Sequence, residues 1–154
     1  QTPTTTGEDI YLKEEFIKLI DNYAIDIVHP DLATAGGLLE TKKIGDYAEE
    51  KGIAMAMHFA GTPVSFMANV HCAAATQNFM ALEHHSVDLD YWKNLVKTEH
   101  IMIEKGFAHV SDSPGLGVDL NEEVVKEHLA PEDKSYFRPT PEWDKIRSWD
   151  RLWS

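Results

Sequence analysis

The chain has 154 residues, 43% hydrophobic and 26% charged, a balance that suits a globular fold able to bury a core. Its formal net charge of -12 argues against nucleic acid and anionic membranes as partners, because both repel an acidic surface. One cysteine, Cys72, excludes an internal disulfide framework and fits a reducing, cytoplasmic setting; no apolar run reaches a membrane span, and no basic stretch opens a signal peptide.

The first residue is Gln1 and not methionine, which suggests processing, truncation or a fragment. Thr4-Thr5-Thr6 is β-branched and strand-like, and Gly7-Glu8 ends it. From Tyr11 the spacing becomes helical, with Leu12, Phe16, Leu19 and Ile20 on one face and Lys13, Glu14, Glu15 and Lys18 turned to water. Residues 24–28 form a second short strand, closed by His29-Pro30-Asp31, since proline cannot donate to a ladder. Ala35-Gly36-Gly37 turns the chain into a helix over 38–50, with Leu39, Ile44, Tyr47 and Ala48 facing inward, and Lys51-Gly52 stops it.

The run Ile53-Ala54-Met55-Ala56-Met57 is wholly apolar, as in a strand buried on both faces of a parallel sheet, and it ends abruptly in His58. A helix rich in small residues follows over 64–76, holding Cys72 as a small buried hydrophobe and His71 as a packed side chain. Phe79-Met80-Ala81-Leu82 is a fourth strand, ending at Glu83-His84-His85. Strand, polar end, loop and helix alternate, which implies an α/β fold with a parallel sheet.

After Val87 the texture changes. Residues 91–96 suit a short helix, and the segments 101–103 and 107–110 flank a hairpin turn near Lys105-Gly106. Pro114-Gly115-Leu116-Gly117 is a loop, followed by a short helix over about 121–129, whose Glu122-Glu123 start suits the helix dipole. Pro131, Pro139, Pro141, Trp143, Trp149 and Trp153 mark a tail too aromatic for disorder and expected to pack on a further surface.

Four strand ends therefore carry polar groups that can converge: Glu8, Asp31, His58 and Glu83. In a parallel barrel all would point to one rim, where the active sites of that architecture lie. Asp31 beside His58 would fix the imidazole tautomer and stabilise the imidazolium, making a base-acid pair. Glu8 offers a hard oxygen of the kind magnesium takes, and Glu83, protonated or hydrogen-bonded, can steady charge on a substrate carboxylate. Plain alternatives stand beside each: a core histidine at 58, a helix cap or turn residue at Asp31, an exposed loop carboxylate at Glu8. His29 adjoins the pair and either touches substrate or faces a helix. His84 and His85 are adjacent on a strand, point to opposite faces, and make a poor chelating pair.

Thr6-Gly7-Glu8, Pro30-Asp31-Leu32 with Ala35-Gly36-Gly37, His58 after an apolar strand, Leu82-Glu83 and Pro114-Gly115-Leu116-Gly117-Val118 together resemble the mandelate racemase/muconate lactonizing enzyme branch of the enolase superfamily. Their order, and the spacings of 23 residues from Glu8 to Asp31 and 27 from Asp31 to His58, look like those of the family, over roughly the first 130 residues. The resemblance implies the C-terminal half of a (β/α)7β TIM-like barrel, with residues 1–100 in the barrel and 101–154 as a C-terminal extension packing on the barrel or on a capping domain. It implies an acid-sugar dehydratase, a hydro-lyase in which Mg2+ stabilises an enediolate. Glu8 then matches a magnesium ligand, Asp31 and His58 the catalytic dyad, and Glu83 the acid that bonds the substrate carboxylate; His29 is a candidate substrate contact.

The family's capping domain, early strands, first two carboxylate ligands and lysine bases have no counterpart here, and Lys42-Lys43 lies in a predicted helix and does not substitute. The expected partners are a sugar-acid substrate, the missing N-terminal half and further copies in a homo-oligomer. A racemase, epimerase or cycloisomerase on the same scaffold stays open, as does a non-catalytic subunit that kept the fold.

Overall fold

The computed structural model describes residues 2–130. Four short strands, β1 (Thr5–Thr6), β2 (Ile27–Val28), β3 (Ala54–Met57) and β4 (Phe79–Leu82), make one sheet in the order β1-β2-β3-β4, with every pair parallel. Parallel neighbours need a crossover, and helices supply it: α1 (Leu12–Asp21), then α2 (Leu32–Ala35) with α3 (Leu38–Glu50), then α4 (Pro63–Ala74). The sheet order follows the chain order, as in successive β/α units of a barrel wall.

The helices share one core with one face of the sheet. Phe16 and Ile20 from α1, Ile44 and Ala48 from α3, and Ala68, Cys72 and Ala73 from α4 pack on Val28, Met55 and Met57. Thr62 caps α4 and Pro63 opens it, a preorganised start that needs no donor from the ring nitrogen. Cys72 is buried as expected, and burial pushes its thiol up in pKa.

Two expected inner positions differ. Leu12 begins α1 with a left-handed backbone (φ 60°) and stays half exposed, so the buried stripe starts at Phe16. In α3 the buried stripe is Thr41, Ile44, Gly45 and Ala48, and Leu39, two residues before Thr41 and so round the other side of the helix, is exposed. The β3 strand is also less enclosed than its composition suggests. Met55 and Met57 are fully buried against the helices, whereas Ala54 and Ala56 on the other face are only half-buried.

A second cluster joins α4 and the end of β3 to the segment after β4. Phe59, Phe66, Met67, Val70, Trp92, Val96 and Met102 pack together. The expected helix at 91–96 is a 3-10 turn over Trp92–Leu95, leading into β5 (Val96–Lys97). The expected hairpin is present as β6 (Ile103–Glu104) and β7 (Phe107–Ala108), turning through positive φ at Lys105 and Gly106. Asp119–Leu120 forms β8, antiparallel to β5. The chain divides into two compact units after Asn121; the described part of the second contains α5 (Glu122–Glu127), tied by a Lys126–Glu122 pair one turn apart. The proline- and tryptophan-bearing tail from Pro131 to Trp153 lies outside the described residues. Among the described residues no helix is long and apolar enough to cross a membrane.

Candidate active site

The parallel ladder runs on past the ends of the strands, and this brings the polar residues together. His29 donates its backbone N–H to Thr6, His58 to Pro30, Glu83 to Met57 and His85 to Phe59. Asp31 and His58 form a bridge of their own in the same parallel register. Side chains alternate along a strand, so His29 and Asp31, Ala56 and His58, and Glu83 and His85 share the face turned away from the helices. Glu8 arrives differently. At Gly7 (φ 144°) a Cβ would lie 2.6 Å from the Phe16 ring and 3.1 Å from the His29 carbonyl, so glycine alone lets the end of β1 pass and release Glu8 above it.

Asp31 plays two parts at once. Its Oδ1 accepts hydrogen bonds from the backbone N–H groups of Ala33 (2.8 Å) and Thr34 (3.1 Å), capping α2, and its Oδ2 lies 2.8 Å from Nδ1 of His58. The cap and the dyad, alternatives in the sequence, coexist because a carboxylate has two oxygens. A carboxylate oxygen can only accept, so His58 carries its proton on Nδ1 and directs Nε2 into the site. That Nε2 lies 3.3 Å from Glu8 and 3.7 Å from Glu83.

Glu83 sits among three imidazoles. His85 Nε2 is 2.7 Å from its Oε1, and His29 Nε2 is 3.2 Å from its Oε2. Partial burial pushes the Glu83 carboxyl up in pKa, but the hydrogen bond from His85 and the charges of His85, His58 and His29 outweigh it and hold the group below the ordinary glutamate range. The carboxylate form is thus favoured over the protonated one. His29 is anchored from behind: the Ala56 carbonyl, 2.8 Å from Nδ1, can only accept, so Nδ1 bears the proton.

Every residue singled out in the sequence, Glu8, His29, Asp31, His58 and Glu83, meets in this cluster. His29 faces Glu83 and not a helix. His85, set aside in the sequence as half of a poor chelating pair with His84, is the further member; its signal was the two-residue step from Glu83, which puts both on one face of the strand. His84 indeed turns the other way, packing edge-on against Phe66 and Trp92 and tilted against Phe59. His71 is half-buried and contacts the Leu116 carbonyl at 3.3 Å, docking the Pro114–Val118 loop. Trp92 Nε1 (2.7 Å) and Ser86 (3.2 Å) donate to the Gly61 carbonyl and tie the loop after His58 to the segment after β4.

The chain matches the family model described as "Enolase C-terminal domain-like" over residues 1–124. It is 40% identical over 128 residues to a D-xylonate dehydratase of Haloferax volcanii, which covers 83% of this chain and 31% of that protein. It is 31% identical over 142 residues to a D-gluconate/D-galactonate dehydratase of Picrophilus torridus, covering 92% and 36% respectively. The crystal structure of a mandelate racemase/muconate lactonizing enzyme-like protein from Rubrobacter xylanophilus superposes with a TM-score of 0.83 at 37% identity, over 85% of this chain and 34% of the other. The chain thus spans about a third of the length of these relatives. A parallel sheet in β/α order, a histidine-carboxylate cluster at its strand ends and a family match over most of the sequence agree, and the chain belongs to the enolase C-terminal domain-like family.

Proposed function

We propose that this chain supplies the dyad-bearing part of a magnesium-dependent acid-sugar dehydratase. The observation that carries the reading is the Asp31–His58 pair at 2.8 Å, set between Glu8 and Glu83 at the ends of parallel strands. The dehydratase relatives support the substrate class.

The reaction breaks the C–H bond α to the substrate carboxylate, moving its electrons into an enediolate. Collapse of the enediolate expels the β-hydroxyl, which leaves as water after taking a proton, and the enol product tautomerises to a 2-keto-3-deoxy acid. His58 Nε2 is the atom that takes the proton from the substrate or returns one to it. Asp31 holds Nδ1 and stabilises the imidazolium, so the ring serves as acid or base according to the substrate's stereochemistry. Glu83 faces the substrate carboxylate; two like charges brought together raise the proton affinity of one, and the surrounding imidazoles can deliver that proton. His29, with Nε2 3.2 Å from the Glu83 carboxylate, is a candidate substrate contact.

The donor set fits magnesium only in part. Glu8 presents an exposed hard oxygen, whereas its neighbour His58 is an imidazole, so among the described residues Glu8 would be the carboxylate that holds the ion. Bound there, magnesium would supply Lewis-acid stabilisation of negative charge on a substrate oxygen.

The test is turnover by this chain assembled with the N-terminal part that its relatives carry, on a panel of aldonic and aldaric acids with Mg2+. A 2-keto-3-deoxy product is expected, with a loss of about 10²- to 10⁴-fold in kcat for His58→Asn. Exchange of the α-proton in heavy water without loss of water would move the assignment to a racemase or epimerase. No magnesium-dependent turnover on any acid sugar would leave a non-catalytic subunit.

A further inference from the structure

The histidines around Glu83 are more numerous than a dyad and one hard-cation ligand require. Donor atoms of His58, Glu83 and His85 lie within 4.8 Å of one another. Two imidazole nitrogens and one carboxylate oxygen are a three-ligand set of the kind that zinc takes with a fourth position open, and imidazole selects zinc-class ions over magnesium. We propose that His58, Glu83 and His85 form a binding site for a zinc-class divalent cation that does not use Glu8 as a ligand.

Three features favour it. First, the Nδ1 of His58 donates to the Asp31 carboxylate, which leaves the Nε2 lone pair facing the cluster; a carboxylate behind a liganding histidine is the usual support of such sites. Second, when His29 and His58 are neutral, two bare Nε2 lone pairs lie 3.2 and 3.7 Å from a Glu83 oxygen, and like dipoles oppose each other there until a proton or a cation enters. Third, the movable ligands are on the open side. Tetrahedral donors sit about 3.3 Å apart for Zn–N distances near 2.0–2.1 Å, so the cluster must contract. His58 is only 15% exposed and held by Asp31, whereas Glu83 (38%) and His85 (54%) are free to swing in.

A cation held here occupies the Nε2 that the dyad uses. Zinc-class ions would then inhibit turnover where magnesium supports it, a consequence that rests on the function proposed above. The binding site itself does not.

The test is titration of the protein with Co2+ in excess Mg2+, read by visible d–d absorption, with Zn2+ as competitor. One equivalent of Co2+ is expected to give bands that one equivalent of Zn2+ removes. His85→Ala, at an exposed position where folding is safe and unchanged circular dichroism verifies it, should abolish the bands and weaken Zn2+ binding by at least about 10-fold. Glu8→Gln should keep them. Absence of the bands, their survival in His85→Ala or their loss in Glu8→Gln would each overturn the site. None of these readouts involves turnover, so failure of the acid-sugar reading and failure of this one are separable.

Discussion

Asp31 is the residue on which local structure and chemistry meet. Its Oδ1 caps α2 through Ala33 and Thr34, and its Oδ2 orients His58. The two tasks separate by mutation. In Asp31→Asn the amide oxygen still caps, since asparagine is as good an N-cap as aspartate, but the Nδ2 group faces His58 and can only donate. Stability should stay within about 0.5 kcal/mol of the parent while the His58 proton moves from Nδ1 to Nε2. Nitrogen NMR shifts of the imidazole report that move, and an unchanged tautomer would refute the dyad. Asp31→Ala removes both tasks and should cost a further ~1 kcal/mol from the lost cap, measured by urea denaturation.

At the scale of elements, α1 and α3 are pinned to each other on the outside of the core. Tyr47 donates to Asp21 (2.7 Å), Lys51 lies 2.9 Å from the same Oδ1, and the Lys51 ammonium sits 5.3 Å from the centre of the Tyr47 ring. The Tyr47 hydrogen bond, then Lys51, holds the Asp21 carboxyl below its ordinary 3.8. A lowered acid pKa contributes stability that is present above the unfolded value and is lost as pH falls through the folded one. Asp21 in turn raises Tyr47 above 10.0 and Lys51 above 10.5, so their contribution is present below those values and lost as pH rises past the folded ones. The pair of helices should therefore loosen below about pH 3.8 and again above about pH 10. In Asp21→Asn the thermal midpoint should depend less on pH at both ends; an unchanged profile would show that the contact contributes nothing.

Helix α3 also gives a packing test. Gly45 lies on the buried stripe of α3, where a Cβ would come within 2.8 Å of Thr76 Cγ2 and 3.2 Å of Met55 Sδ. Alanine gains about 1 kcal/mol of helix propensity there, but overpacking costs typically 1–3 kcal/mol. Gly45→Ala should thus be neutral to destabilising by about 2 kcal/mol, and a clear gain in the urea midpoint would mean that Thr76 moves aside freely.

For the molecule as a whole, the sheet among the described residues has two outer strands, β1 and β4, and Met80 on β4 is 58% exposed. An open strand edge with apolar side chains is a template for pairing. The chain on its own is expected to self-associate, and Met80→Lys should slow the rise in light scattering at equal concentration. Adding the part of a relative that this chain does not match should have the same effect by covering the edge; scattering indifferent to both would show that the edge is already protected.

The sequence by itself determined the alternation of strands and helices, because a continuous apolar run through Ala54–Met57 and a three-to-four-residue period in Phe16, Ile20 and in Ile44, Ala48 are local patterns. It also determined the strand-end residues Glu8, Asp31, His58 and Glu83, whose order in the chain is their order across a parallel sheet. Tertiary structure decided the rest. Which leucines are buried depended on how α1 and α3 rotate against the sheet, so Leu12 and Leu39 lie outside. Whether Asp31 caps a helix or holds an imidazole was settled by register, which gave one oxygen to each. That His29 and His85 close on Glu83 required the ladder to continue beyond the strands, a long-range pairing that no local pattern encodes.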